Sequence, residues 1–189
     1  YKNKTKVLFN TIGGLKLGAE KTGKGILLKF PQFGTEQYIL PDALLKAMGI
    51  LAAGFTGFSQ QGGKFIIEVA DKEVLAAVSP DFREMVRATD ICSAVIVTCA
   101  GGDGEYDFYS RCFCPWVGIN EDPVTGSAHS ILGPYWKKRL GKNKMKAHQL
   151  SARGGYLYLD VRDDGVLEVE SNAVAVIEGS IDVAPAEKQ

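Results

Sequence analysis

The first thirty residues alternate short apolar runs with glycine. Segments 6–10, 15–20 and 25–30 are separated by Gly13-Gly14 and by Gly23, a pattern that predicts strands joined by tight turns. The third run, Ile26, Leu27, Leu28, Lys29 and Phe30, ends at Pro31, which has no N–H for a ladder, so the strand stops there. Pro41 then opens 42–48, where Ala43, Leu44, Ala47 and Met48 fall at helical spacing and Gly49 is a natural stop. A strand is predicted over 65–70. Short helices follow over 71–78, with Leu75 and Val78 inward, and over 81–88, after Pro80.

Beyond Cys92 the strands lengthen. Segment 93–99 is almost continuously apolar, which predicts burial on both faces, whereas 106–113 alternates aromatic and polar residues, which predicts one wetted face. Gly101, Gly102, Asp103 and Gly104 join the two as a hairpin-like loop. The strongest helix spans 127–140, with Ala128, Ile131, Leu132, Tyr135, Trp136 and Leu140 on one broad stripe. Pro134 inside it removes a hydrogen bond and predicts a kink. Strands are predicted over 145–151, 156–162, 167–171 and 173–181, with a turn at 163–165 and a frayed tail over 184–189. Many strands and one apolar helix imply a sheet curled about that helix, because such a helix cannot stay exposed. The class is α+β. The helix N-terminus then emerges at the rim of the roll.

With 189 residues, 46% of them hydrophobic, the chain is ample for one sizeable core. Its 22 basic and 22 acidic residues cancel without any block of like charge, so no footprint for nucleic acid is present. Apolar stretches are of strand length, short of the ~20 residues that span a bilayer, and no signal-like segment opens the chain. The reading is a soluble, unexported, cytoplasmic protein without a membrane partner. Cys92, Cys99, Cys112 and Cys114 form no disulfide framework, and Cys112 and Cys114 lack the second ligand pair of a zinc site, with only His129 and His148 available. They read as small buried side chains. Nothing suggests a metal, nucleotide or flavin.

Chemistry concentrates in segment 113–129, FCPWVGINEDPVTGSAH. A tight turn into a fresh helix leaves backbone N–H groups unpaired, and with the helix dipole these make a seat for an anion. Asp122 stands at its mouth. A carboxylate beside an anion seat needs a reason, and proton transfer to or from a bound organic acid is one. The plainer alternative is that Asp-Pro opens a turn and Ser127 caps the helix. His129 either faces the cleft or packs the helix. Tyr109 and Arg111 share one strand face, where Arg111 pairs with a ligand carboxylate, with Asp122, or in a structural ion pair.

The run YDFYSRCFCPWVGINEDPVTGSAH, residues 106–129, resembles the PhzF family, phenazine-biosynthesis-like isomerases that share the diaminopimelate epimerase fold. Tyr135-Trp136, Leu140-Gly141-Lys142, Arg153-Gly154-Gly155 and Val176-Ile177-Glu178-Gly179 extend the resemblance over most of the chain. It implies two lobes, each a rolled sheet around a central helix, with the active site between them. It gives Asp122 a proton-relaying or substrate-positioning role. Thr125, Ser127 and the N–H groups of Gly126, Ser127 and Ala128 would then hold the carboxylate of a small-molecule substrate. Ser171-Asn172 stands where relatives often have glycine. A homodimer is implied by the resemblance alone.

The departures are as informative. Members of the family carry a glutamate acid/base in an S-E-T-type segment and a C-G-H-A-T-type loop in the first lobe; neither string occurs here. The expectation is therefore a fragment. Residues 1–31 would be remnant strands of the first lobe, 32–172 the complete second lobe, and 173–189 a final strand, returning to the first lobe, and a tail. Without its base the chain alone is expected to be inactive, the isomerase activity belonging to the full-length parent. The alternative is a non-catalytic ligand-binding or protein-interaction member of the same fold.

Overall fold

The computed structural model describes residues 5–12, 14–102 and 104–180. Among the described residues twelve strands and four α-helices follow in chain order, with one 3-10 turn at Pro115–Val117: β1 Lys6–Asn10, β2 Lys16–Lys21, β3 Ile26–Pro31, β4 Glu36–Gln37, α1 Asp42–Ala47, β5 Phe55–Ser59, β6 Lys64–Glu68, α2 Lys72–Ala77, α3 Phe82–Ala88, β7 Ala94–Ala100, β8 Phe108–Cys114, β9 Ile119–Glu121, α4 Gly126–Leu140, β10 Lys144–Gln149, β11 Gly155–Val161 and β12 Val166–Ser171. A single mixed sheet runs β1-β2-β3-β12-β11-β10-β8-β7-β6-β5-β4, with β9 paired to β8. Most pairs are antiparallel; β6 with β7 and β8 with β10 are parallel. The class is α+β, as the strand-rich pattern around one long helix predicts.

Each face of the sheet has its own core. Ala94 and Ile96 of β7, Phe108 and Cys112 of β8, and Leu157 and Leu159 of β11 close on Ile131, Leu132 and Trp136 of α4. On the other face Val95, Val97, Tyr109 and Phe113 pack with Leu44, Leu75 and Met85 of α1, α2 and α3. β7 is thus buried on both sides, as its continuous apolar run predicts. β8 is too, which corrects the wetted face expected there: Ser110 is 1% exposed and its neighbour Arg111 is covered by α2. Alternation of polar residues does not by itself mark a wetted face: Arg111 is satisfied by Glu121 and the end of α2, while the Ser110 hydroxyl is buried without a partner among the described residues.

α4 is buried continuously from Ala128 to Gly133 because strands surround it. Pro134 does not end it. Its ring leaves the Ser130 carbonyl without the usual intrahelical donor, and the Phe33 N–H takes that place at 2.8 Å. Gly133 lets the helix approach β11 and β12; a Cβ there would stand 3.0 Å from Leu167 Cδ1 and 3.3 Å from Val161 Cγ2.

Two further differences concern strands. β4, β5 and β9 fall outside the predicted strands, because β4 has two residues, β5 is interrupted by Gly57 between Thr56 and Phe58, and β9 has three residues. Residues 173–180 are not a strand but exposed, irregular chain, with Val174, Val176 and Ile177 each at least 85% exposed. Their composition suits a strand, but no strand among the described residues pairs with them. The frayed-tail expectation over 184–189 lies outside the described residues.

Candidate functional site

The loop between β9 and α4 is tied down at almost every residue. Asp122 N–H donates to the Cys112 carbonyl at 2.9 Å, which fixes the loop to β8. The Asp122 carboxylate accepts a charge-assisted hydrogen bond from the Thr125 hydroxyl, Oδ2 to Oγ1, at 2.6 Å. Gln149, wholly buried at the end of β10, donates through Nε2 to the Asp122 carbonyl at 2.6 Å and accepts through Oε1 from Thr125 N–H at 2.9 Å. Ser151 Oγ donates to the Pro123 carbonyl at 2.7 Å. Val124 sits against Gly155, where a Cβ would lie 2.2 Å from Val124 Cγ2.

Thr125 is the residue before the first helical position, yet its hydroxyl turns to Asp122 and caps nothing in α4. Ser127, the second helical residue, is exposed and is not the cap that the plain turn reading made it. The N–H groups of Gly126, Ser127 and Ala128 find no acceptor among the described residues. They open the N-terminal end of a fifteen-residue helix whose last turn carries Lys137, Lys138 and Arg139, so the dipole is complemented at one end only. Phe30 of β3 covers this turn from the side; a Cβ on Gly126 would meet its ring at 2.8 Å. Beside the loop a groove of about 690 Å³ runs past Val124, Arg153, Gly155, Tyr156 and Asn172.

Beneath the loop, His129 is fully buried with Nδ1 2.8 Å from the Thr125 carbonyl. A carbonyl only accepts, so Nδ1 carries the proton and Nε2 is bare, without a partner among the described residues. Burial pushes the imidazole pKa down to about 4, so the ring is neutral near pH 7. His129 therefore packs the helix and does not face a cleft. Burial also pushes the Cys92, Cys99 and Cys112 thiols up to about 12, which keeps them protonated and unreactive.

Asp122, Thr125, Gly126, Ser127 and Ala128 come together as one bend, and Tyr109 and Arg111 do not join them. Both point to the opposite face of β8, toward α1, α2 and α3. Arg111 is paired with Glu121 at 2.8 and 3.0 Å, and its Nη1 donates to the carbonyls of Leu75, Ala76 and Val78, the C-terminal end of α2. Tyr109 is wholly buried and its hydroxyl receives a bond from Lys72 at 3.2 Å. The sequence reading gave no site role to Gln149, Ser151 or Phe30, and took Gly155 only as part of the Arg153-Gly154-Gly155 resemblance. One signal for Gln149 was present: it follows Met145 and Ala147 at the inward positions of β10, and a polar side chain there must be satisfied.

A family model described as phenazine biosynthesis-like protein matches residues 3–179. The chain belongs to the PhzC-PhzF family. It is 36% identical over 185 residues to phenazine biosynthesis-like domain-containing protein 2 of Mus musculus, covering 92% of this chain and 64% of that protein. An "uncharacterized isomerase" of Halalkalibacterium halodurans is 39% identical over 178 residues, covering 93% of this chain and 64% of the relative. Among solved structures, the PhzF-family protein of Enterococcus faecalis superposes with a TM-score of 0.83 at 31% identity, over 96% of this chain and 66% of that one. The family assignment that the Asp122 segment suggested thus stands. The chain spans about 64% of the length of these curated relatives.

Proposed function

We propose that this PhzF-family chain supplies the carboxylate-binding wall of an isomerase that acts by proton transfer on a small organic acid. The observation that carries the reading is the α4 N-terminus, where the N–H groups of Gly126, Ser127 and Ala128 find no acceptor beside a carboxylate already fixed in place by Thr125. A ligand carboxylate seated on those amides would bring its neighbouring carbon toward Asp122. The amides would also stabilise negative charge that develops on the ligand as a proton leaves that carbon. Asp122 then positions the substrate or passes the proton, and Thr125 and Ser127 border the seat. The isomerase designations of relatives in Halalkalibacterium halodurans and Pseudomonas aeruginosa support the reaction class. Tyr109 and Arg111 serve the α2 side of the sheet and have no part in the seat.

The test is a nuclear magnetic resonance titration of the chain with acetate, lactate and malonate, each beside its neutral amide. The acids are expected to shift the amides of Gly126, Ser127 and Ala128, and the neutral analogues to leave them unmoved. Shifts centred elsewhere would remove the seat. For an acid that binds, deuterium uptake at carbon in D₂O on addition of a full-length relative separates an isomerase from a protein that only binds.

A further inference from the structure

The hydrogen bonds that join Gln149, Thr125 and Asp122 have one consistent direction, to which both ends of the Gln149 amide are matched. Thr125 N–H can only donate, so the Gln149 atom 2.9 Å from it is the carbonyl oxygen. The amide nitrogen must therefore face the Asp122 carbonyl at 2.6 Å and Thr125 Oγ1 at 3.2 Å, and donates to both. With a donor arriving at its oxygen, the Thr125 hydroxyl directs its own proton at Asp122 Oδ2, 2.6 Å away. Asp122 Oδ1 has no partner among the described residues and remains for a ligand. The remaining polar atom of Thr125, its carbonyl, is held by His129.

We infer that Gln149 is a positioning residue of the candidate site. Its buried amide supports the polarity of a chain running Gln149 N–H to Thr125 O–H to Asp122 carboxylate, so that Oδ2 is occupied from the protein side while Oδ1 has no hydrogen-bond partner among the described residues. The inference rests on Asp122 as the working carboxylate, but it is a statement about the free protein. A buried primary amide suits this task because it offers a donor and an acceptor side by side, which neither a hydroxyl nor a carboxylate can do at this reach.

Gln149→Glu keeps the acceptor and removes the donor; Gln149→Met removes both at similar volume. Two signals are read on the ligand-free chain: hydrogen exchange at the Thr125 amide, and the isotope shift that the Thr125 hydroxyl transmits to Asp122 Cγ between H₂O and D₂O. Thr125→Val serves as the reference in which that shift is gone. In Gln149→Glu the Thr125 amide is expected to stay protected while the Asp122 shift falls to the reference, because the hydroxyl proton turns to the new carboxylate. In Gln149→Met the amide loses protection by about tenfold or more, the loss of one hydrogen bond. A bracing role through packing alone would move both signals together. An Asp122 shift that survives in Gln149→Glu overturns the inference. If that variant does not fold, unchanged Thr125 protection in Gln149→Met does so. Neither outcome touches the carboxylate titration, so the two readings fail separately.

Discussion

His129 and Arg111 show how the candidate site is supported by groups that do not belong to it. The imidazole is held neutral by burial, its pKa lowered from 6.5 to about 4. Between those values the unfolded chain binds more protons than the folded one, so stability is fully present above about pH 6.5 and is lost as the pH falls toward 4. For a shift of this size the loss reaches about 3 kcal/mol. His148 is lowered as well, by burial and then by the charge of Lys72, and contributes in the same direction. Urea midpoints measured from pH 7 to 4.5 are expected to fall more steeply in the wild type than in His129→Gln, which keeps a donor for the Thr125 carbonyl without the titration. Parallel curves would show that His129 titrates normally. Arg111, by contrast, closes the end of α2 with donations to three carbonyls and holds Glu121, the residue before Asp122, so it fixes the approach of the chain to the loop from the far side of the sheet.

At the scale of elements, the loop depends on the turn between β10 and β11 and on Gly155, the first residue of β11. Gly155 leaves room for Val124, and a Cβ there would lie 2.2, 3.1 and 3.2 Å from three atoms of that side chain. Valine is β-branched and cannot swing clear without moving its backbone. Gly155→Ala is therefore expected to destabilise the chain by about 1–3 kcal/mol, as overpacking does, and to displace the amide resonances of 122–127. An unchanged urea midpoint with an unchanged spectrum would mean that the turn does not brace the loop. The contrast between α4 and this turn explains what the sequence could tell. Helix α4 and strands β7 and β11 were legible because their burial is written in local periodicity, and the Asp122 bend was legible as a string of residues. Gln149, Gly155 and Phe30 reach the bend from 24 to about a hundred positions away, and long-range closeness leaves little local pattern. Residues 173–180 make the same point in reverse, since their apolar composition suits a strand but pairing makes one.

Across the whole molecule, burial is uneven. α4 packs on β11, β12 and β3, and the register carries the face it covers onward into β2 and β1, through Leu28 and Ala19 to Val7. Phe9 lies on that same face and is 50% exposed, while Leu8 on the opposite face is 82% exposed. β1 is also the last strand of the sheet among the described residues, so its outer edge offers unpaired N–H and C=O groups next to apolar side chains. Such an edge pairs readily with another strand. The opposite face of β1 and its neighbours differs, because Lys6 with Glu20 and Lys29 and Arg162 with Glu168 form a ladder of ion pairs that keeps water as its partner. Association is therefore expected to run through β1 and the Phe9 face rather than through the charged ladder. Sedimentation velocity across a wide concentration range should show reversible self-association of the chain. Phe9→Glu should return the mass toward that of one chain, with little change in unfolding midpoint, because the side chain is half in water already. Replacing the ladder lysine Lys29 by Glu should leave the association in place. If Phe9→Glu associates as strongly as the wild type, the contact lies elsewhere and the β1 edge is protected in solution.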